Sequence, residues 1–256
     1  MNDKNKNPLG MVPDPFDGKT FVLPETPCTR ERRLFFQRMK EIIGFLNVTS
    51  YSFQECRKNL ELLIPKLRFK EKTDIKIEWT GGRSITMPAR KIVKMTFDGN
   101  DILARQIFIM IYGSFETYLF QMFDRTYPKI GITEDTLDVS IDILMKRKWD
   151  RKFNKMSEVF DVNYRAGELI NHFKDLRMDF SGNLIKNPLN FLDELAQIRH
   201  RIVHASSILE KGNLVNIDIT FFHDFFCFCS LLTDYVDVIF SKKYKYPRNI
   251  LDPAKA

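Results

Sequence analysis

Apolar residues recur at helical spacing along most of the chain. Leu34, Phe35, Met39, Ile42, Ile43 and Leu46 mark one face of a helix that opens at Thr29, a residue suited to the N-cap, with Glu31 in its first turn. A second helix is expected from Ser52 to Ile64, ending at Pro65. The period then drops to two. Ile75, Ile77 and Trp79 alternate with Lys76 and Glu78, which predicts a strand, and Gly81-Gly82 marks a turn. Ile92, Val93, Met95 and Phe97 are expected to form the second strand of a hairpin. From Asp101 to Phe123 the pattern is apolar nearly all round, which predicts a buried central helix. Helices follow over Glu134–Lys146 and Met156–Phe173, and a turn at Ser181-Gly182-Asn183. Pro188 then opens a helix that carries Arg199 and His204. Lys211-Gly212-Asn213 ends that region, and Leu214–Ile217 reads as a short strand. Asp218 or Thr220 caps a last helix over Phe221–Phe240.

The expected fold is mainly α, with a small β element in the N-terminal region. Residues 1–28 hold Pro8, Pro13, Pro15, Pro24 and Pro27 and read as a flexible arm with at most a short strand at Thr20–Leu23. Residues 29–100 form a helical and hairpin subregion, 101–241 a helical domain, and 242–256 a basic tail.

Composition adjusts this picture only slightly. The 256 residues are 44% hydrophobic and include 23 phenylalanines, enough for a sizeable core packed through bulky faces. A formal net charge of +7 favours a polyanionic partner without naming one. Cys28, Cys56, Cys227 and Cys229 lack zinc-ribbon spacing, and Cys227 and Cys229 point to different helix faces, so reduced thiols and a cytoplasmic location are expected. The first seven residues are polar and lack the apolar run of a secretory signal. No stretch reaches the roughly 18 apolar residues of a membrane span, so no membrane partner is expected.

The chemistry concentrates in Ile198-Arg199-His200-Arg201-Ile202-Val203-His204-Ala205, where two arginines and two histidines share six positions. Arg199 and His204 give the spacing R-x4-H, which taken alone arises often by chance. The side chains suit RNA cleavage. RNA carries its own nucleophile, the 2′-hydroxyl. A metal-independent ribonuclease then needs a group that exchanges protons near neutrality, which His supplies. It also needs a fixed positive fork for the phosphate, which Arg supplies. Five helical positions turn through about 500°, leaving Arg199 and His204 about 140° apart. One regular helix therefore cannot aim both at one small target.

In the context Leu195–Ser206, this motif resembles that of the HEPN ribonucleases (higher-eukaryote-and-prokaryote nucleotide-binding helical domains), RiboL-PSP and MAE types included. The family pattern is an Arg, a polar residue that is often Asn, three further residues and then His, late in an apolar helix. The resemblance covers residues 100–240 and departs at His200, which stands where Asn is commonest. It implies a HEPN-like helical bundle acting as a homodimer, with two Arg199–His204 sets in one composite cleft. The implied products are a 2′,3′-cyclic phosphate and a 5′-hydroxyl, and the implied setting is a toxin or effector in bacterial stress or antiphage defence, restrained by an antitoxin or regulatory protein.

Several residues keep two readings. Glu116, a charge inside an apolar helix, is either a buried acid satisfied by a neighbouring cation or a support that orients Arg199 or His204. His200 either contacts substrate and supports the site or shares acid–base work. His200 and His204 also have metal-ligand spacing, but the intervening Arg201-Ile202-Val203 lacks the Glu of a zinc protease and Arg201 repels a cation, so no metal or other cofactor is expected. Lys146, Arg147, Lys148, Arg151 and Lys152, with Lys155, form either a solvated helix face or an RNA-backbone track, to which Arg201 adds. Trp149 within it either stacks on a base or is packed. Lys242, Lys243, Lys245 and Arg248, interleaved with Tyr244 and Tyr246, are expected to extend the basic surface, while His172 and His223 read as structural. Two rival functions remain: a non-catalytic helical scaffold or RNA/nucleotide-binding module, and a metal-dependent hydrolase using His200 and His204.

Overall fold

The computed structural model describes residues 27–63, 74–78, 82, 84–146, 148–165, 167–169, 171, 179–180, 183–184, 188–204 and 219–249. The chain is mainly α-helical. Its elements are α1 (Arg30–Leu63), β1 (Asp74–Glu78), β2 (Ser84–Pro88), α2 (Ala89–Thr126), a 3-10 turn (Tyr127–Ile130), α3 (Thr136–Leu144), α4 (Trp149–Phe160), β3 (Asp179–Phe180), β4 (Asn183–Leu184), α5 (Pro188–His204) and α6 (Ile219–Tyr244).

Helix α2 is the axis of the core, and α1, α3, α5 and α6 all pack on it. Its buried face includes Ile107, Phe108, Ile111, Tyr112, Phe115, Leu119 and Phe123. Bulky rings lock the layers together: Phe108 stacks on Phe225 of α6 at 4.9 Å, and Phe123 stacks on Phe160 of α4 at 4.9 Å. Phe35, Phe36 and Met39 of α1 belong to the same cluster. Because α2 runs unbroken through residue 100, no structural break falls at that position.

Three expectations about elements need correction. The first two expected helices are one, the 34-residue α1. Nothing between Asn47 and Tyr51 breaks a helix, and the Ser52 hydroxyl donates to the Val48 carbonyl at 2.9 Å, a bond compatible with an unbroken turn. The hairpin's second strand is not Ile92–Phe97 but β2, with Ile77 opposite Ile85 and Ile75 opposite Met87. Pro88, which has no N–H to give the ladder, ends the strand and stands at the N-cap of α2. Gly82 turns the hairpin with φ +75°, a conformation that favours glycine. The helix expected over Met156–Phe173 is interrupted: α4 starts at Trp149 and stops where Asp161 turns left-handed, φ +46°, and the described residues 167–169 and 171 are helical again.

The basic tail, described as far as Asn249, is tied back to the residue before the cap of α1. Its backbone pairs with Cys28 through two hydrogen bonds of 3.2 and 3.1 Å. Tyr246 is buried, lies 4.0 Å under the Arg125 guanidinium and shares a 2.8 Å hydrogen bond with the Thr126 hydroxyl. The fully buried Asp237 accepts from the Thr29 backbone N–H at 3.2 Å, from the Thr29 hydroxyl, and from Arg248 Nε at 3.1 Å. Thr29 also caps α1 as expected, accepting a long bond from the Arg32 N–H at 3.4 Å. The start of α1, the end of α6 and the segment after it are therefore one knot.

The short strands β3 and β4 pair with Phe180 opposite Asn183, and Ser181 and Gly182 of the expected turn lie outside the described residues. The strands expected at Thr20–Leu23 and Leu214–Ile217 lie outside the described residues, as do the arm before residue 27 and the break at Lys211–Asn213. Among the described residues, no helix is long and apolar enough to cross a membrane.

Candidate functional site

The site lies where α2, α4 and α5 meet. Helix α5 turns Leu189, Leu192 and Leu195 into the core. Arg199 continues that stripe one turn beyond Leu195, so its stem leaves α5 on the side that faces α2. Its guanidinium meets two α2 side chains that are themselves one turn apart. Nη2 lies 3.3 Å from Glu116 Oε2, and the guanidinium carbon lies 5.5 Å from the centre of the Tyr112 ring. The cation beside Glu116 is Arg199, a contact that fits both readings of this acid. The pair is lopsided: the Arg199 side chain is 44% exposed and that of Glu116 only 23%.

The N-terminus of α4 is wedged beside this pair. Lys148 occupies its N-cap in an extended conformation and makes no side-chain cap bond. The capping acceptor comes from another helix instead. Asp193 of α5 takes the Trp149 backbone N–H at 2.8 Å, placing a carboxylate at the positive end of α4. The Trp149 indole N–H donates to the Tyr112 hydroxyl at 3.3 Å, and the Trp149 ring packs on Phe115 at 5.3 Å. Trp149 is thus buried and packed, unavailable for base stacking.

Lys152 departs from its expected place on a solvated cationic face. It is only 8% exposed, and its ammonium lies 4.3 Å over the Trp149 ring. The cause is the period of α4: Trp149, Lys152, Phe153, Met156 and Phe160 form its buried stripe. Burial lowers the Lys152 pKa, while the charges of Glu116 and Asp193 raise it and that of Arg199 lowers it further. Burial likewise raises the Glu116 carboxyl above its ordinary value, opposed by Arg199 and then Lys152. The Tyr112 hydroxyl is pushed well up, first by burial and next by Glu116, and so remains a neutral hydrogen-bonding group. Lys152 and Arg199 thus each lie over one ring of the hydrogen-bonded Trp149–Tyr112 pair.

The other expected site residues fall around this centre. His200 and Arg201 are exposed on α5, and His204 is its last residue, with a side chain outside the described ones. Lys148 and Arg151 are exposed on α4. Lys146 pairs with Asp142 at 2.6 Å and Lys155 with Glu158 at 3.0 Å, so part of the basic run is already matched by acids. Arg147, His172 and the side chain of His223 lie outside the described residues.

A separate open groove of about 950 Å3 lies beside the ends of α4 and α6, lined among others by Asp161, Arg165, Glu168, Lys242, Lys243 and Lys245. Lys243 pairs with Asp161, and Arg165 with Glu168 at 3.4 Å. The lysines also stand at the negative C-terminal end of α6, which they stabilise. Arg248 is tied up with Asp234 and Asp237 and Tyr246 is buried, so neither extends a basic surface.

The four cysteines are free thiols, with Cys229 buried and its pKa raised by that burial. Among the described residues no group of three or more His, Cys, Asp or Glu side chains could hold a metal ion. Sequence reasoning passed over Tyr112 and Asp193. Tyr112 stands at i−4 from Glu116, a visible signal, whereas nothing local in the sequence marks Asp193 as the cap of a different helix. No family model, curated protein or solved structure matches the chain.

Proposed function

We propose that the chain is a metal-independent endoribonuclease of the HEPN type, working as a two-fold dimer. The observation that carries this reading is the Glu116–Arg199 pair at 3.3 Å, in which the acid is sheltered and the guanidinium is open to solvent. A carboxylate engaging one edge of a guanidinium restricts its orientation and leaves other N–H donors for a phosphate. Arg199 then holds the scissile phosphate. His204, at the end of the same helix, exchanges protons with the reacting oxygens. His200 supports them, and Lys146, Arg147, Lys148, Arg151 and Arg201 guide the RNA backbone.

The 2′-oxygen loses its proton and attacks the adjacent phosphorus. The bond to the 5′-oxygen breaks, and that oxygen takes a proton, leaving a 2′,3′-cyclic phosphate and a 5′-hydroxyl. One base and one acid are needed, and two copies of His204 in a shared cleft supply them. Such an enzyme suits a toxin or effector in bacterial stress or antiphage defence, with a restraining protein partner.

A second reading, an RNA- or nucleotide-binding helical scaffold, is favoured by one feature: Glu116 and Tyr112 already engage Arg199 within a single chain, as in a structural pair. Incubating mixed RNA with the wild type, His204→Ala and Arg199→Ala in EDTA separates the two. The ribonuclease reading expects cyclic-phosphate ends from the wild type and a loss of about 10²–10⁴-fold with His204→Ala. Variants that cut as fast as the wild type sink it. RNA binding without cyclic-phosphate ends identifies the scaffold.

A further inference from the structure

One outward face of the bundle lacks the charge that a solvated helix face carries. Helix α1 lies on one flank of α2, where Arg38 Nη1 donates to Gln121 Oε1 at 3.4 Å. Helix α5 lies on the other, through the Glu116–Arg199 pair at 3.3 Å. Glu116 and Gln121 stand about 140° apart round α2. The arc between them turns Ile102, Gln106, Met110, Gly113 and Thr117 outward, with no charged side chain among them. On α1, Phe45 follows Arg38 by about two turns and Val48 by about three, so both open on the same side as this arc. Phe45 is 49% exposed, Val48 67%, Ile102 51% and Met110 40%. Large apolar side chains scattered singly need no explanation, but these share one side of two adjoining helices and form a patch. At Gly113, in the middle of the arc, an added Cβ would meet nothing within 4 Å, so the patch is open at its centre.

We propose that this α1–α2 face docks on a second copy of the chain, the two α2 helices crossing antiparallel at Gly113 about a two-fold axis. The inference rests on the ribonuclease reading for what the paired sites then do, and not for the pairing itself. A second copy is the occupant that the charge pattern fits. A two-fold interface sets each residue against its own neighbourhood, so a charged centre would meet itself. This centre is uncharged, and its glycine lets two helix axes approach to about 8 Å. By helix dimensions the face covers about 600 Å2 on each copy, which reaches the roughly 1,200 Å2 in total of a specific interface. Phe45 and Val48 lie outside the stretch that resembles the HEPN proteins, so the face gives α1 a part that the resemblance does not supply. Antiparallel crossing keeps like flanks together, α1 beside α1 and α5 beside α5. Glu116 lies about one turn from Gly113, so the two Glu116–Arg199 pairs come to one side of the interface, about 10–15 Å apart. The cations of the two α5 helices then face each other, and the backbone of an RNA strand between them relieves their repulsion.

Sedimentation velocity, at protein concentrations up to about 100 μM, reads the oligomeric state of the wild type, Phe45→Glu, Met110→Arg and Val238→Arg. Val238 is the control: it is exposed on α6, which packs on the far side of α2 through Phe108 and Phe225. The wild type and Val238→Arg should sediment at twice the 30.3 kDa mass of the chain. Phe45→Glu and Met110→Arg should sediment at the single mass with an unchanged melting temperature, their dimer dissociation constants raised about 100-fold or more. A wild type that stays monomeric overturns the proposal. So does an assembly that survives both substitutions on the face, or one that Val238→Arg breaks as well. Cleavage of mixed RNA in EDTA separates this inference from the ribonuclease reading. If the wild type pairs through the face and leaves RNA uncut, the ribonuclease reading fails and the docking surface stands. If the wild type cuts, Met110→Arg should cut about 100-fold more slowly, and a monomeric Met110→Arg that cuts as fast overturns the shared cleft. Should either face variant not fold, Gly113→Cys in a Cys56→Ser background carries the test. Oxidation should then give a covalent dimer, because the crossing brings the two Cα atoms within the roughly 7 Å that a disulfide spans. A wild-type dimer whose Gly113→Cys form yields no such product refutes the crossing.

Discussion

Asp193 offers the sharpest test of how the site is held together. Its carboxylate takes the Trp149 N–H at 2.8 Å and so caps α4 from α5. Replacing it with Ala removes an N-cap acceptor, which costs about 0.5–2 kcal/mol. It also removes a carboxylate from the positive end of α4, a further 0.3–1 kcal/mol or so. The buried Lys152 loses one of its two opposing charges as well. Together these predict that Asp193→Ala destabilises the chain by about 0.8–3 kcal/mol. At this chain length each kcal/mol lowers the melting temperature by about 2–4 °C, so a drop of roughly 2–12 °C is expected.

Asp193→Asn separates the hydrogen bond from the charge, since an amide oxygen caps about as well as a carboxylate but is neutral. It should lose only about 0.3–1 kcal/mol. The assay is urea unfolding followed by circular dichroism, with the slope checked for constancy so that the midpoint reports stability. If Asp193→Ala changes stability by less than about 0.5 kcal/mol, the inter-helix cap is not holding α4. If Asn costs as much as Ala, the charge and not the hydrogen bond holds the helix end, and the capping reasoning is wrong.

Two further outcomes follow from Asp237 and Glu116. Asp237→Ala leaves the Thr29 N–H, the Thr29 hydroxyl and Arg248 Nε without their acceptor, though Arg248 keeps Asp234, and should cost about 3–5 kcal/mol in the same assay; a loss under about 1 kcal/mol would show that the knot does not hold the start of α1 to the end of α6. Glu116 binds its proton more tightly folded than unfolded, because burial raises its pKa above the ordinary 4.5. Its contribution is therefore most favourable below that value and falls as pH rises through the raised pKa, so Glu116→Gln should gain stability relative to the wild type across that window. A difference between the two proteins that stays flat from pH 4 to 7 would contradict the shift.

Elements with a strong local period could be read from the chain alone. The central helix was visible because Ile107, Ile111, Phe115, Leu119 and Phe123 recur every fourth position along one stripe, and the structure buries all of them. Pro188 marked the start of α5, and Thr29 the cap of α1. Weak formers misled where no Pro or Gly enforced a stop, hence two helices expected where α1 is one. The strand after Gly82 was misplaced because Ile92–Phe97 is as apolar as a strand, while the true partner, Ser84–Pro88, offers only Ile85 and Met87. Lys152 could have been recognised by its spacing from Trp149, Phe153 and Met156, but its charge drew it into the basic run.

By itself the sequence determined a mainly helical chain, a central buried helix, and a helix that carries Arg199 and His204. Those features rest on periodicity and on caps, which act between residues a few positions apart. Only the tertiary structure decided that Glu116 meets Arg199, that Asp193 caps α4, that Lys152 turns inward against Trp149, and that Arg248 ends on Asp237. Each depends on how the helices pack on one another. Which ion finds which is set by how α2, α4, α5 and α6 come together, and a pattern read along one helix does not contain that.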